Sequence, residues 1–226
     1  MEVKKVWCFF EQSGTFRDKF KELGIEAVDC DIQNEYGKTD YQIDLFKEIR
    51  KAHKGENSIF DKINKDDLIF AFFPCVRFTK QAELLFKQLS RQVQNNSEYK
   101  KISKAMQAEC ERKDLFIIFS KMVQVCLRKE LKIIIENPYS TNHYLVRYFP
   151  IKAKLIDFDR RERGDFFQKP TQYWFINCEP SYNIDALFIV QSIQRINKTI
   201  CNLCPGKDRS EISPEYAEQF IREFIL

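Results

Sequence analysis

The residues with the most chemical potential stand where apolar runs stop. Cys75 follows Leu68-Ile69-Phe70-Ala71-Phe72-Phe73 and Pro74, with Arg77 two residues further on. A cysteine just beyond a buried strand, near a cation or a helix start, is placed to form the thiolate that acts as a nucleophile. An inert interior thiol is the alternative reading, because free cysteines are often buried. Glu136 follows the run from Leu131 to Ile135, made almost wholly of isoleucine, and leads into Asn137-Pro138-Tyr139. An acid at the tip of so apolar a segment points to an acid/base role.

Two further polar motifs share that setting. Phe10-Glu11-Gln12-Ser13-Gly14-Thr15-Phe16 joins the apolar segment Val3 to Phe10 to an amphipathic stretch, and its small residues would let backbone N–H groups approach the polar end of a ligand. An ordinary strand-to-helix connection would look the same. Asp31 ends the segment Ile25 to Cys30, where an acid can accept hydrogen bonds from a ribose or cap a helix. Arg160-Arg161-Glu162-Arg163, before Gly164, could hold phosphate or form a solvated loop. Cys201 and Cys204, joined by Cys178, have the spacing of half a zinc site, but with no second pair and only two histidines the expectation is no metal. His53 and His143 lie in polar surroundings and are expected at the surface or in loops.

The elements that must carry these residues alternate. Val3 to Phe10, Ile25 to Cys30, Leu68 to Phe73, Leu131 to Ile135, Ala153 to Phe158 and Tyr173 to Asn177 read as strands. Phe16 to Leu23, closed by Gly24, and a segment containing Leu45, Phe46 and Ile49 read as helices. From Phe78 to Lys129 apolar positions recur at helical spacing, and the polar patch Gln92 to Lys101 is expected to separate two helices. Such alternation predicts an α/β fold, Rossmann-like, with a mostly parallel sheet, helices on both faces and a helical insertion over about 78–129. Ligands of such sheets sit beyond the carboxyl ends of the strands, where all four motifs fall.

With 226 residues, 44% of them apolar, the chain can bury a substantial core as a single domain spanning 1–226, which sets aside a disordered class. Its net charge of +4 is spread along the chain, so charge permits a nucleic-acid partner without predicting one. Eight cysteines in a chain of this size fit a reducing compartment, and no apolar run is long enough for a signal peptide or a membrane span. The expected location is the cytoplasm, with no membrane partner.

The order Ser13-Gly14-Thr15-Phe16, Asp31, Pro74-Cys75, Glu136-Asn137 resembles the C5-cytosine DNA methyltransferase family, and more closely its short phage-associated members, which have a class I methyltransferase fold. Lys169-Pro170-Thr171-Gln172-Tyr173-Trp174 and Arg209-Ser210-Glu211-Ile212 extend the resemblance over most of the chain. It implies a location in a bacterial or phage-infected cell and S-adenosyl-L-methionine as cofactor. Phe10, Ser13, Gly14, Thr15, Phe16 and Pro74 would shape the cofactor site, with Asp31 on the ribose and Asp44 on the adenine amino group. Cys75 would add to C6 of cytosine and Glu136 would bind its N3 side, with Asn137, Arg161 and Arg163 also contacting substrate. Phe73 stands where the family has the first of two prolines, and the stretch between Trp174 and Arg209 has no room for a sizeable target-recognition domain. The implied partner is therefore DNA as single strands, or DNA read with a partner chain or homo-oligomer, with RNA or a free nucleotide as alternatives. A binding module on a weakened methyltransferase fold is the competing expectation.

Overall fold

The computed structural model describes residues 3–79, 82, 96–183 and 211–226. It is an α/β fold built on one seven-stranded sheet, as the alternation predicts. The strands are β1 (Lys5–Phe9), β2 (Glu26–Asp31), β3 (Tyr41–Gln42), β4 (Leu68–Phe72), β5 (Lys132–Pro138), β6 (Leu155–Asp157) and β7 (Thr171–Ile176), in the spatial order β3-β2-β1-β4-β5-β7-β6. β1 to β5 pair in parallel, and β7 runs antiparallel between β5 and β6. The two-residue β3 and the reversed direction of β7 go beyond the sequence reading. β7 is a fully buried run, and such runs carry no mark of strand direction.

Register brings the strand ends level. Phe9 pairs with Cys30 on one side and Ala71 on the other, and Phe72 pairs with Glu136. The loops after β1, β2 and β4 and the tip of β5 therefore share one rim.

The helices are α1 (Thr15–Glu22), α2 (Leu45–Lys54), α3 (Glu98–Lys129), α4 (Tyr144–Tyr148) and α5 (Pro214–Phe224), with single 3-10 turns at Ile59–Lys62 and Arg160–Arg163. α2 starts at an Asp44 cap whose side chain accepts from the Lys47 N–H, and ends at Gly55 in the left-handed conformation. α3 is one helix of 32 residues that begins within the polar patch, at a Ser97 cap. The stretch preceding it, residues 80–81 and 83–95, lies outside the described residues, as do Arg209 and Ser210.

Each sheet face has its own core. α2 and the inner half of α3 cover one with Leu45, Ile49, Ile118, Phe119 and Met122, against Ile133, Ile135 and Trp174. α1 and α5 cover the other with Phe16, Phe20, Tyr216 and Phe220, against Phe70, Ile134 and Tyr173. Ile133, Ile134 and Ile135 are each 0% exposed, so β5 alone carries three side chains worth roughly 1.5–3 kcal/mol each in burial.

α5 is also fixed by polar contacts. The Tyr216 hydroxyl donates to Asp157 Oδ2 at 3.0 Å and lies 2.7 Å from the Tyr173 hydroxyl, and Ser213 caps the helix while its hydroxyl donates to Gly164 O. Tyr216→Phe removes a buried hydroxyl with two partners and leaves both under-satisfied. It is expected to lower the unfolding free energy by about 1–3 kcal/mol, read as a lower urea midpoint with an unchanged slope.

Candidate active site

In the chain, β1 leads to β2 on one side of the sheet, and the later crossing to β4 places that strand on β1's other side. Loops leaving β1 and β4 diverge at this switch point, which is where open α/β sheets bind ligands. A cavity of about 500 Å³ lies here, lined by Phe10, Gln12, Asp31, Asp44, Phe46 and Pro74 among others. Phe10, Asp31 and Pro74, at the ends of their strands, thus line one cavity together with Asp44 at the start of α2.

The rest of the first motif is placed differently. Phe16 is fully buried between Phe70, Phe72 and Phe220, on the face carrying α1 and α5. Gly14 is the α1 cap at φ 69°, and a Cβ there would meet Lys38 Cδ at 3.0 Å and Arg17 Nη2 at 3.2 Å. The left-handed φ is what favours glycine here, since the Lys38 and Arg17 side-chain ends can yield. Ser13 Oγ accepts from the Thr15 N–H at 3.4 Å, and the two hydroxyls lie 3.1 Å apart.

Glu11, which the sequence reading left unassigned, folds back onto α1. Its carboxylate accepts the Phe16 N–H and, at 3.2 Å, the Arg17 N–H. Burial is the main influence that pushes this carboxyl up to about 7, against the pull of those two N–H groups. The flanking Phe10 and Gln12 both have left-handed φ values, 61° and 58°, an uncommon and strained conformation for side-chain-bearing residues. Gln12 Nε2 is buried without a hydrogen-bond partner. Asp31 accepts from the Gln33 N–H at 2.8 Å, and its burial raises its carboxyl above the usual range.

Beyond β4, Phe73 has a buried ring packed on Phe10, Phe119 and Phe78. Asn137 holds the loop from the other side: its Nδ2 donates to Phe73 O at 2.7 Å. The loop is closed by Phe78 N–H to Cys75 O at 2.9 Å and tied to α3 by the Arg77–Glu111 ion pair at 2.5 Å. Asn137 is therefore a positioning residue for the Cys75 loop.

The Cys75 loop lies beside the tip of β5, where Asn137, next to Glu136, bonds Phe73 O. Burial, then the Glu136 charge, pushes the Cys75 thiol up, and Lys169 of the Lys-Pro-Thr segment pulls it down. Glu136 is 7% exposed and its Oε1 has no hydrogen-bond partner.

The arginines differ from expectation in which one faces this pair. Arg163 holds Glu223 with two 2.8 Å bonds and Asp157 at 3.2 Å, anchoring α5, and Arg161 is paired with Asp159. Arg160 is fully buried, paired with Asp165 at 2.5 Å and stacked over Tyr216, and it feels the Glu136 charge. Its Nε and Nη1 have no hydrogen-bond partner. The sequence could not single it out, because three arginines in four residues look alike until a turn orients them.

His143 corrects the surface expectation: it is 1% exposed, packed on Phe78, with Nδ1 3.4 Å from Gln172 Nε2. His53 sits in the last turn of α2, its Nε2 2.9 Å from Oε1 of Gln124 on α3. Cys178 packs with its sulfur 3.4 Å from Ile176 O, while Cys201 and Cys204 lie outside the described residues. Among the described residues no helix is long and apolar enough to cross a membrane.

No protein-family model matches the chain, and no curated protein matches it.

Burial lowers His143 from 6.5 to about 4, so its neutral form is favoured in the fold. The stability it contributes is present above pH 6.5 and is lost as pH falls toward 4. Glu11 and Asp29, both raised to about 7, act in the opposite sense: their contribution is present at low pH and lost as pH rises through 7. Both remain in a His143→Gln variant. In that variant the change in unfolding free energy from pH 7 to pH 4.5 is expected to be more favourable than in the parent, as measured by paired denaturant titrations at the two pH values.

Proposed function

We propose that the chain is an S-adenosyl-L-methionine-dependent methyltransferase acting on C5 of cytosine in DNA. The observation that carries this reading is that Phe72 and Pro74 line the switch-point cavity, with Cys75 next in the chain after Pro74 and Glu136 paired with Phe72 across the sheet. The sheet supports it: the dinucleotide-fold order 3-2-1-4-5-6 has one antiparallel strand inserted before the last, the form a class I methyltransferase sheet takes.

The cavity residues fit the cofactor by their own chemistry. Asp31 and Asp44 are acceptors for ribose hydroxyls and an amino group, and the orphaned Gln12 Nε2 is a donor for a carboxylate. A cavity of about 500 Å³ falls within the size range of small-molecule sites. When bound, S-adenosyl-L-methionine supplies an electrophilic methyl group.

Cys75 adds to C6 of the base through its thiolate, and Glu136 binds the N3 side, leaving C5 the nucleophilic carbon. Burial and the Glu136 charge both oppose thiolate formation. The proton that leaves the Cys75 thiol, held between Glu136 and N3, neutralises that charge, so engagement of the base and activation of the thiol are linked. Lys169 acts in the same direction. A cytosine in a duplex must be flipped out of the stack to reach Cys75. Single-stranded DNA meets this requirement at least cost, and duplex recognition would draw on a partner chain or a second copy. RNA and free pyrimidine nucleotides are the substrates to compare.

Calorimetric titration with S-adenosyl-L-methionine and S-adenosyl-L-homocysteine tests the reading. Saturable micromolar binding is expected, weakened about tenfold or more by Asp31→Ala, which loses hydrogen bonds to the ribose. Cys75→Ala is expected to retain cofactor binding and abolish methyl transfer to single-stranded DNA. Absence of binding would remove the methyltransferase mechanism and leave the α/β domain as a binding module.

A further inference from the structure

The carboxyl rim does not stop at the tip of β5. Register carries it onto the next two strands, since Pro138 pairs with Thr171 on β7 and Thr171 with Asp157 on β6. The residues that follow β5 and β6, Tyr139 and Phe158, are therefore level, and their rings meet edge to face at 5.7 Å. The start of β7 ties in from between them, where the Tyr139 N–H donates to Pro170 O at 2.7 Å. Phe158 is 63% exposed, and Tyr139 is half-buried at the wall of a cavity of about 200 Å³ that Ile156, Gln172 and Trp174 also line. That volume is below the roughly 300–1,000 Å³ of whole-ligand pockets, so it suits one ring of a longer molecule.

The charge around the pair favours a polyanion. Lys169 adjoins Pro170 and its charge reaches the Cys75 thiol, so one cation serves both the cysteine loop and the aromatic pair. Lys152 lines the cavity, and the acids on either side of Phe158, Asp157 and Asp159, are paired with Arg163 and Arg161. Aromatic faces interleaved with cations are how proteins hold single-stranded nucleic acid without reading its sequence. We infer that Tyr139 and Phe158 form a stacking site for a base beside the target cytosine, with Lys169 on the connecting phosphate. The inference rests on the proposed reading of single-stranded DNA as substrate and adds the place where the strand is held. Tyr139 lies three residues beyond Glu136 on an extended strand, about 10 Å at roughly 3.3 Å per residue. Stacked nucleotides rise roughly 3.4 Å each, so the held base is within about three places of the target.

Anisotropy of a labelled single-stranded oligodeoxynucleotide with one cytosine, titrated without cofactor, tests this with the full chain and its variants, each checked for folding by circular dichroism. Phe158→Ala is expected to bind the strand about tenfold more weakly, and Phe158→Trp to restore binding. A series of strands carries one abasic position each, within three places of the cytosine. One of these positions should cost the parent about tenfold and Phe158→Ala much less, because base and ring act as a coupled pair. Lys169→Gln should lower the slope of log affinity against log salt by about 0.7. Equal losses in parent and Phe158→Ala at every abasic position, full affinity in Phe158→Ala, or no binding by the parent would overturn the inference. Coupling at one position in a chain that neither binds S-adenosyl-L-methionine nor methylates the strand would keep the stacking site and remove the methyltransferase reading. Methyl transfer without coupling would do the reverse.

Discussion

Everything at this site follows from one constraint of connectivity: β1 lies in the middle of a parallel sheet, with β2 on one side and β4 on the other. A parallel neighbour can be reached only by a crossover, so the loops after β1 and β4 must leave the rim in different directions. The crevice between them needs no particular side chain. What the sequence adds is the set of polar groups delivered there by strands too apolar to end anywhere but the rim. Phe72 opposite Glu136 and Phe9 opposite Cys30 keep those ends level, and Asn137 clamps the β4 loop to the tip of β5.

The rim is charged in a way that water would not tolerate elsewhere in the fold. Burial disfavours ionisation of Glu11, Asp29, Asp31 and Cys75, and Arg160 is the buried cation on the Glu136 side. At the strand ends Gln12 Nε2, Glu136 Oε1 and Asn137 Oδ1 are buried without hydrogen-bond partners. Unsatisfied buried polar atoms are costly and rare, and these three mark the rim as shaped for something other than stability. The strained Phe10 and Gln12 belong to the same edge.

The fold was legible in the sequence wherever burial dictates pattern. Leu68 to Phe72 and Ile133 to Ile135 can be nothing but interior strands, and the acids and prolines after them announce the rim. What could not be read were properties set by three-dimensional proximity. The antiparallel course of β7 is one, because a strand buried on both faces has the same composition in either direction. The site was legible as a list of strand-end residues, of which Phe10, Asp31 and Pro74 line the cavity, but not as a set of pairings. Glu11 was hidden because a carboxylate five residues from its N–H partner follows no local capping pattern, and Arg160 because its identity depends on the turn at Arg160–Arg163. His143 sits among polar neighbours in sequence yet faces Phe78 in space.

The pairing of α1 with α5 bears on the order in which the chain can be assembled. Phe16 stacks on Phe70 and meets Phe220, and Lys19 reaches Glu218 at 3.5 Å, so one face of the sheet is sealed by residues from opposite ends of the chain. At roughly 5–20 residues per second, a ribosome would leave Phe16, Phe20 and Phe70 without their cover for about ten to forty seconds after α1 emerges. During that interval the nascent sheet presents a bare aromatic surface. The other face, closed by α2 and α3, is complete much earlier, so the two halves of the core are separated in time as well as in space.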